Sequence, residues 1–356
     1  MAKIEPQPIV SLHGSYFCDN YGDILLINLF YKWIKETAPD VLVNLPMAYD
    51  KSIQELPDGA LRGIRYLMKS RCLLYCGGGY FGEQPRHKLY WSCRNFYRHV
   101  IIGIIAIIRK IPIAIIGVEF GPLSIAWFRR IVIWLAKHSS TIVVRNQESF
   151  DFLSQYQVKN VILGVDGVLS LNPLKNKTLS SNPSILLHLP NVQFAEDKYL
   201  LFINELARRI NELGWKEVVF IEDSSGQYVE DYNDIFKALD SSGINHRIEQ
   251  YVSFDKLIDT IGNADYVVTT KLHVGITAAA MNVPVLSIYN HPKVIRLHKQ
   301  IGNADNCVSI HSSKDTFARM VDIFFPSKFV LPSTIRERAS LNAMYTKQFI
   351  ANSLYL

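Results

Sequence analysis

Cysteine is scarce in this chain. Cys18, Cys72, Cys76, Cys93 and Cys307 are five in 356 residues, an odd number at irregular spacing. No second Cys/His pair completes a zinc pattern around Cys72 and Cys76, so reduced structural thiols are expected and a metal site is not. Long apolar runs are also missing. The nearest to one, residues 100–117, is broken by Arg109, Lys110 and Pro112, and each half is too short to cross a bilayer. The first ten residues, MAKIEPQPIV, hold no apolar signal core. These absences predict a cytoplasmic protein, soluble or peripheral at the inner face of the cell membrane. Dense Lys/Arg runs with interleaved aromatics are absent, which argues against nucleic acid as a partner. GxGxxG, a Walker lysine, GxSxG and a paired Cys/His spacing are absent too. No cofactor is expected.

What the chain does have is alternation. Its length and 49% hydrophobic content suit two ordinary domains. Short apolar runs at 9–12, 41–45, 72–75, 112–116, 140–144 and 161–164 read as strands, separated by stretches of helical periodicity at 24–36, 91–108, 126–138 and 147–156. Residues 172–183, NPLKNKTLSSNP, are polar with two prolines and read as a linker. Beyond them the alternation restarts, with strands at 184–189, 217–222, 246–249, 266–269 and 285–288 and helices between them. The expected organisation is an N-terminal domain at 1–171, the linker at 172–183, a C-terminal domain at 184–325 and a helical tail at 326–356 that packs back toward the first domain. Strand–helix alternation of this kind gives parallel sheets covered by helices on both faces. Two such Rossmann-like, doubly wound α/β domains facing across a cleft resemble the GT-B architecture. Ligands are then expected beyond the carboxyl ends of the strands.

Five strand-end segments carry chemistry. In HGSYFCDNYGDILL, residues 13–26, Gly14 and Gly22 permit tight turns, and Asp23 either caps the next helix or, with Asn20, reaches a ligand as a base. In CGGGYFGE, residues 76–83, Gly77, Gly78 and Gly79 following a strand form either a tight turn or an anion-binding nest. In IGVEFGPLS, residues 116–124, Glu119 orients a sugar hydroxyl or satisfies backbone amides, while Gly121 and Pro122 open a helix start. In VVRNQESF, residues 143–150, Arg145 either grips a carboxylate or phosphate with its planar fork or pairs with a neighbour such as Glu148. Finally, Lys271 and His273 stand at the end of the 266–269 strand, before small residues that let a helix pack closely. An imidazole there passes a proton near neutral pH or is hydrogen-bonded for structure. The formal charge of +6 suits anionic small molecules or an anionic membrane surface.

Six segments in consistent order across roughly residues 12–300 resemble the polysaccharide pyruvyl transferase family: NYGDILL, CGGGYFGE, GVEFGPLS, VVRNQESFDFL, GVDGVLSL and TTKLHVGITAAAMNVPVLSIYNHPK. The resemblance implies transfer of an enolpyruvyl-derived group from phosphoenolpyruvate to two sugar hydroxyls, forming a cyclic ketal and releasing phosphate. It places the family's cation–Leu–His motif on Lys271, Leu272 and His273 and its strand-end arginine on Arg145. Arg145 and Lys271 would then hold the donor's carboxylate and phosphate, and His273 would be the acid. Many members have arginine at the place of Lys271 and aspartate at that of Asn146. Acceptors in the family are often lipid-linked sugars or cell-surface polymers. WFRRIVIWLAKH, residues 127–138, is read either as a membrane-facing helix or as a core helix with snorkelling cations.

Two other readings compete with this one. A GT-B glycosyltransferase with a nucleotide-sugar donor would use Glu222 or Asp223 to recognise base and ribose. A non-catalytic anion- or glycan-binding protein would use the same scaffold without chemistry.

Overall fold

The computed structural model describes residues 7–17, 20–48, 55–84, 86–174, 183–189, 196–224, 232–290 and 292–355. Cys18 and residues 175–182 of the expected linker lie outside them. By contact density the chain forms two compact units, Met1–Gly167 with Glu337–Leu356, and Val168–Arg336.

The first unit runs β1 (Ile9–His13), α1 (Tyr21–Thr37), β2 (Leu42–Leu45), β3 (Leu61–Arg62), α2 (Ile64–Leu67), β4 (Cys72–Phe81), α3 (Lys88–Asn95), α4 (Ile101–Ile108), β5 (Ile113–Phe120), α5 (Ala126–Lys137), β6 (Thr141–Val144), α6 (Gln147–Gln155) and β7 (Val161–Leu163). A π-helical turn at Phe96–Val100 joins α3 to α4. All strand pairs are parallel, in the order β3-β2-β1-β4-β5-β6-β7. Central strands such as β5 are buried along their whole length. That is why they read as continuous apolar runs and not as alternation.

The second unit runs β8 (Ile185–His188), α7 (Glu196–Glu212), β9 (Glu217–Ile221), α8 (Asn233–Ser241), β10 (Asn245–Glu249), α9 (Phe254–Asn263), β11 (Tyr266–Thr269), α10 (Leu272–Ala280), β12 (Val285–Tyr289), α11 (Pro292–Gln300), β13 (Cys307–Ser309) and α12 (Lys314–Phe324). Its sheet is again parallel, in the order β10-β9-β8-β11-β12-β13. Last comes α13 (Ser333–Tyr355), whose residues from Glu337 onward belong to the first unit. There Asn342 donates to the carbonyl of Val165 at 3.0 Å, and Arg338 donates to that of Gly164 at 3.1 Å.

Both sheets grow outward from their first strand and then reverse. In the first, β4 returns to the free side of β1, and in the second, β11 returns to the free side of β8. Each reversal opens a crevice at the carboxyl ends of the two strands flanking it, the place where open α/β sheets bind ligands.

Two strands run further than expected. The glycines 77–79 lie inside β4, and Glu119 lies inside β5. Gly77 and Gly78 have φ of +46° and +95°, values glycine takes without strain, so the strand continues through them. The pairing register between β4 and β5 shifts between Gly78 and Phe81.

Candidate active site

The crevice of the second unit holds the lysine and histidine singled out above. Thr269, the last residue of β11, sits directly opposite His188, the last residue of β8. Lys271 is the N-cap position of α10, and Leu272 and His273 form that helix's first turn, so His273 is helical and not strand-terminal. The backbone amide of Lys271 donates to Thr269 Oγ1 at 3.0 Å, which fixes the turn between strand and helix. The lysine side chain reaches across the crevice, and its Nζ lies 3.0 Å from Asp223 Oδ2. The other carboxylate oxygen of Asp223 lies 3.3 Å from His188 Nε2, and His188 Nδ1 is 3.5 Å from Thr269 Oγ1. Burial opposes charge on Asp223, but His188 and Lys271 outweigh it and hold the carboxyl below its usual range. Thr277 donates to the carbonyl of His273 at 2.8 Å, a bond one turn back along α10.

Reasoning from sequence missed His188, and it gave Asp223 only to the nucleotide-sugar alternative. The available signal was positional, since ILLH ends a strand as VVTTK does. Glu222, the other acid considered for that alternative, accepts the backbone amide of Tyr251 at 3.2 Å.

In the first unit a different group forms. Arg145 follows β6, and its guanidinium contacts Glu119 of β5 at 2.5 Å and Asp166 at 3.2 Å. All three are buried. Burial works against the guanidinium's charge, yet Glu119 and Asp166 raise its pKa, with a smaller contribution from Asp23. The partner suggested by sequence, Glu148, is replaced by two carboxylates, one within β5 and one in the segment that follows β7. Asp166 had no sequence signal beyond its place in GVDG.

Asp23 does not cap α1. Asn20 does, accepting from the amides of Gly22 and Asp23 at 3.1 and 3.4 Å, which leaves Asp23 in the first turn, where a carboxylate is favoured by the helix dipole. Similarly, Asn146 caps α6 by accepting from Ser149 at 2.9 Å. A β-carbon on Gly77 would stand 2.7 Å from Leu26 Cδ1, and one on Gly78 would stand 3.0 Å from the Tyr80 ring and 4.0 Å from Asp23 Oδ1. The glycines therefore let α1 close onto β4. Pro122 does not open a helix, because α5 begins at Ala126. Gly121 follows β5 and donates its amide to Phe81 at 2.9 Å, while the amide and hydroxyl of Ser124 both bond Glu83.

Beneath the reversal of the first sheet lies a buried aromatic cluster that the sequence did not announce. His13 Nδ1 is 2.7 Å from Tyr16 Oη, and its Nε2 is 2.9 Å from His99 Nδ1. Tyr80 stacks on His99 at 4.3 Å, and Tyr75 donates to the His99 carbonyl at 2.8 Å. Burial pushes His13 down to about 3 and His99 well below the usual imidazole range. Among the described residues, no group of three or more His, Cys, Asp or Glu side chains is placed to hold a metal ion.

Residues 20–292 match the family model described as polysaccharide pyruvyl transferase. The chain belongs to this family. The match covers every pair and cap above except the His13 contacts and those made by α13. No curated protein sequence matches the chain. Among solved structures it is similar to the UDP-GlcNAc 2-epimerase of Methanocaldococcus jannaschii, with 11% identity over 96% of this chain and 99% of that one, at a TM-score of 0.65. The UDP-GlcNAc 2-epimerase of Neisseria meningitidis is 12% identical over 98% and 100%, at 0.61. Acinetobacter baumannii MurG is 10% identical over 99% and 100%, at 0.53. At such identities the likeness is one of fold, the GT-B class expected from the sequence. Within the matched residues, Lys271 presents a single ammonium that Asp223 orients.

Proposed function

We propose that the protein transfers the enolpyruvyl-derived group of phosphoenolpyruvate onto two hydroxyls of a sugar in a cell-surface polysaccharide or its lipid-linked precursor. The observation that carries this reading is the placement of Lys271 and His273 across the start of α10, at the strand reversal of the second sheet, within a chain of this family. A helix start with a cation beside it favours an anion. Lys271 would neutralise donor phosphate.

His273 protonates the methylene carbon of the donor, turning it into a methyl group. The neighbouring carbon becomes oxocarbenium-like, and one sugar hydroxyl adds to it, its proton passing to a phosphate oxygen. The protonated phosphate then leaves with its bonding electron pair, and the second hydroxyl adds to the renewed cationic carbon, its proton returning to His273 as the ketal closes. The amides of the first turn of α10 would stabilise the negative charge that grows on the departing phosphate.

Incubation with phosphoenolpyruvate and candidate glycans, followed by mass spectrometry, tests the reading. A pyruvyl ketal on the glycan with stoichiometric phosphate supports it. Stabilisation by UDP- or GDP-sugars without stabilisation by phosphoenolpyruvate would replace it with the nucleotide-sugar reading.

A further inference from the structure

We propose that the face of the first unit formed by α3, α4 and α5 docks on an anionic lipid bilayer. The helices of this face bury one side and leave an apolar stripe on the other. Along α3, the π-helical turn and α4, His99, Ile102 and Ala106 are buried, while Tyr90, Tyr97 and Ile108 are exposed, Tyr97 by 65% and Ile108 by 72%. On α5, Phe128, Val132 and Leu135 are buried, and Trp127 and Trp134 are exposed by more than a third. The helix is thus core-packed on one side and open to solvent on the other.

The stripes lie side by side. Phe96 meets Trp127 edge to face at 5.7 Å. Gly103 lets α5 come close, because a β-carbon there would stand 2.6 Å from Leu135 Cδ1. Residues 86–137 carry nine lysines and arginines and one carboxylate. That carboxylate, Glu119, is buried against Arg145. The whole chain has a formal charge of only +6, so the rest is slightly acidic and the positive excess is concentrated here.

This chemistry fits a lipid surface. Tryptophan and tyrosine favour the headgroup level, and the exposed Ile108 gains from contact with acyl chains. Cations near an anionic leaflet each add to the attraction. A nucleic acid would use the cations and leave Ile108 in water. A second copy would set like charges against each other. Among the described residues no helix is long and apolar enough to cross a membrane, so the contact is with the surface.

Sedimentation with vesicles tests this independently of the reaction. The intact chain should pellet with phosphatidylcholine vesicles containing about one third phosphatidylglycerol and remain in solution with phosphatidylcholine alone, the binding weakening as salt rises. Arg130→Gln with Lys137→Gln should lower partitioning about thirtyfold. Trp127→Ser with Trp134→Ser should remove what binding survives in high salt. All variants should keep the wild-type circular dichroism and, with a water-soluble acceptor, the wild-type turnover. Failure of the wild type to pellet with anionic vesicles overturns the proposal. So does a DNA duplex bound without vesicle binding, or a doubled mass in lipid-free buffer that Trp127→Ser abolishes.

Discussion

Lys271 Nζ and Asp223 Oδ2 stand 3.0 Å apart across the strand reversal of the second sheet, with His188 on the far side of the same carboxylate. The ammonium is thus aimed by a partner 48 residues away in sequence. Asp223→Asn should free it. We expect the apparent KM for phosphoenolpyruvate to rise about tenfold with a smaller change in kcat, because positioning is lost and the acid is kept. Stability should fall by about 1–2 kcal/mol, allowing for solvent at Lys271. Initial-rate kinetics and urea titration measure both, and an unchanged KM would remove the positioning role.

His273→Asn should reduce kcat by about a hundredfold to ten-thousandfold, the usual contribution of a positioned acid. Donor binding should persist in isothermal calorimetry. Full turnover by this variant would eliminate the proposed acid.

Arg145→Ala leaves Glu119 and Asp166 buried without their cation, at a cost of about 3–5 kcal/mol. Loss of activity in that variant alone would therefore say little about the donor. Adding Glu119→Gln should recover part of the stability, and a double-mutant cycle by chemical denaturation quantifies the coupling. Arg145→Lys keeps the charge and gives the cleaner comparison of donor affinity.

Acid should destabilise the protein before its exposed carboxylates titrate. His13 sits near 3 and His298 near 4 in the folded chain, both lowered mainly by burial, against about 6.5 when unfolded. Between those values the unfolded state binds more protons, so stability falls as pH falls. Each histidine contributes up to about 1.4 kcal/mol per pH unit over its window. Asp223, whose folded pKa is lowered, acts in the same direction below about 4. Urea midpoints at pH 7 and pH 5 check the slope, and a flat profile would contradict the burial of His13.

Gly77→Ala should cost about 1–3 kcal/mol, since its φ is +46° and the new methyl meets Leu26. Thermal unfolding tests this. A wild-type melting temperature would mean that α1 can retreat from β4.

Much of the architecture could be read before any coordinates. Continuous runs such as ILLH and YVVT can only be buried parallel strands when helical stretches separate them. Some elements were missed because they are short: β3 has two residues and β13 three, too few for periodicity to register. The carboxyl end of β4 was misread because three glycines look like a loop. In fact the positive φ values of Gly77 and Gly78 are absorbed within the strand, whose register shifts between Gly78 and Phe81.

The sequence by itself determined the class of fold, the family, and the identity of the cation and imidazole at the start of α10, because strand length, helix capping and motif order are local properties. Partnership was settled only by the tertiary structure. Arg145 turns to Glu119 and Asp166 and not to Glu148, and Lys271 turns to Asp223 and His188. The same folding sets Phe96 against the exposed Trp127. A parallel sheet carries the end of each strand beside neighbours distant in the chain, and no window of sequence contains that adjacency.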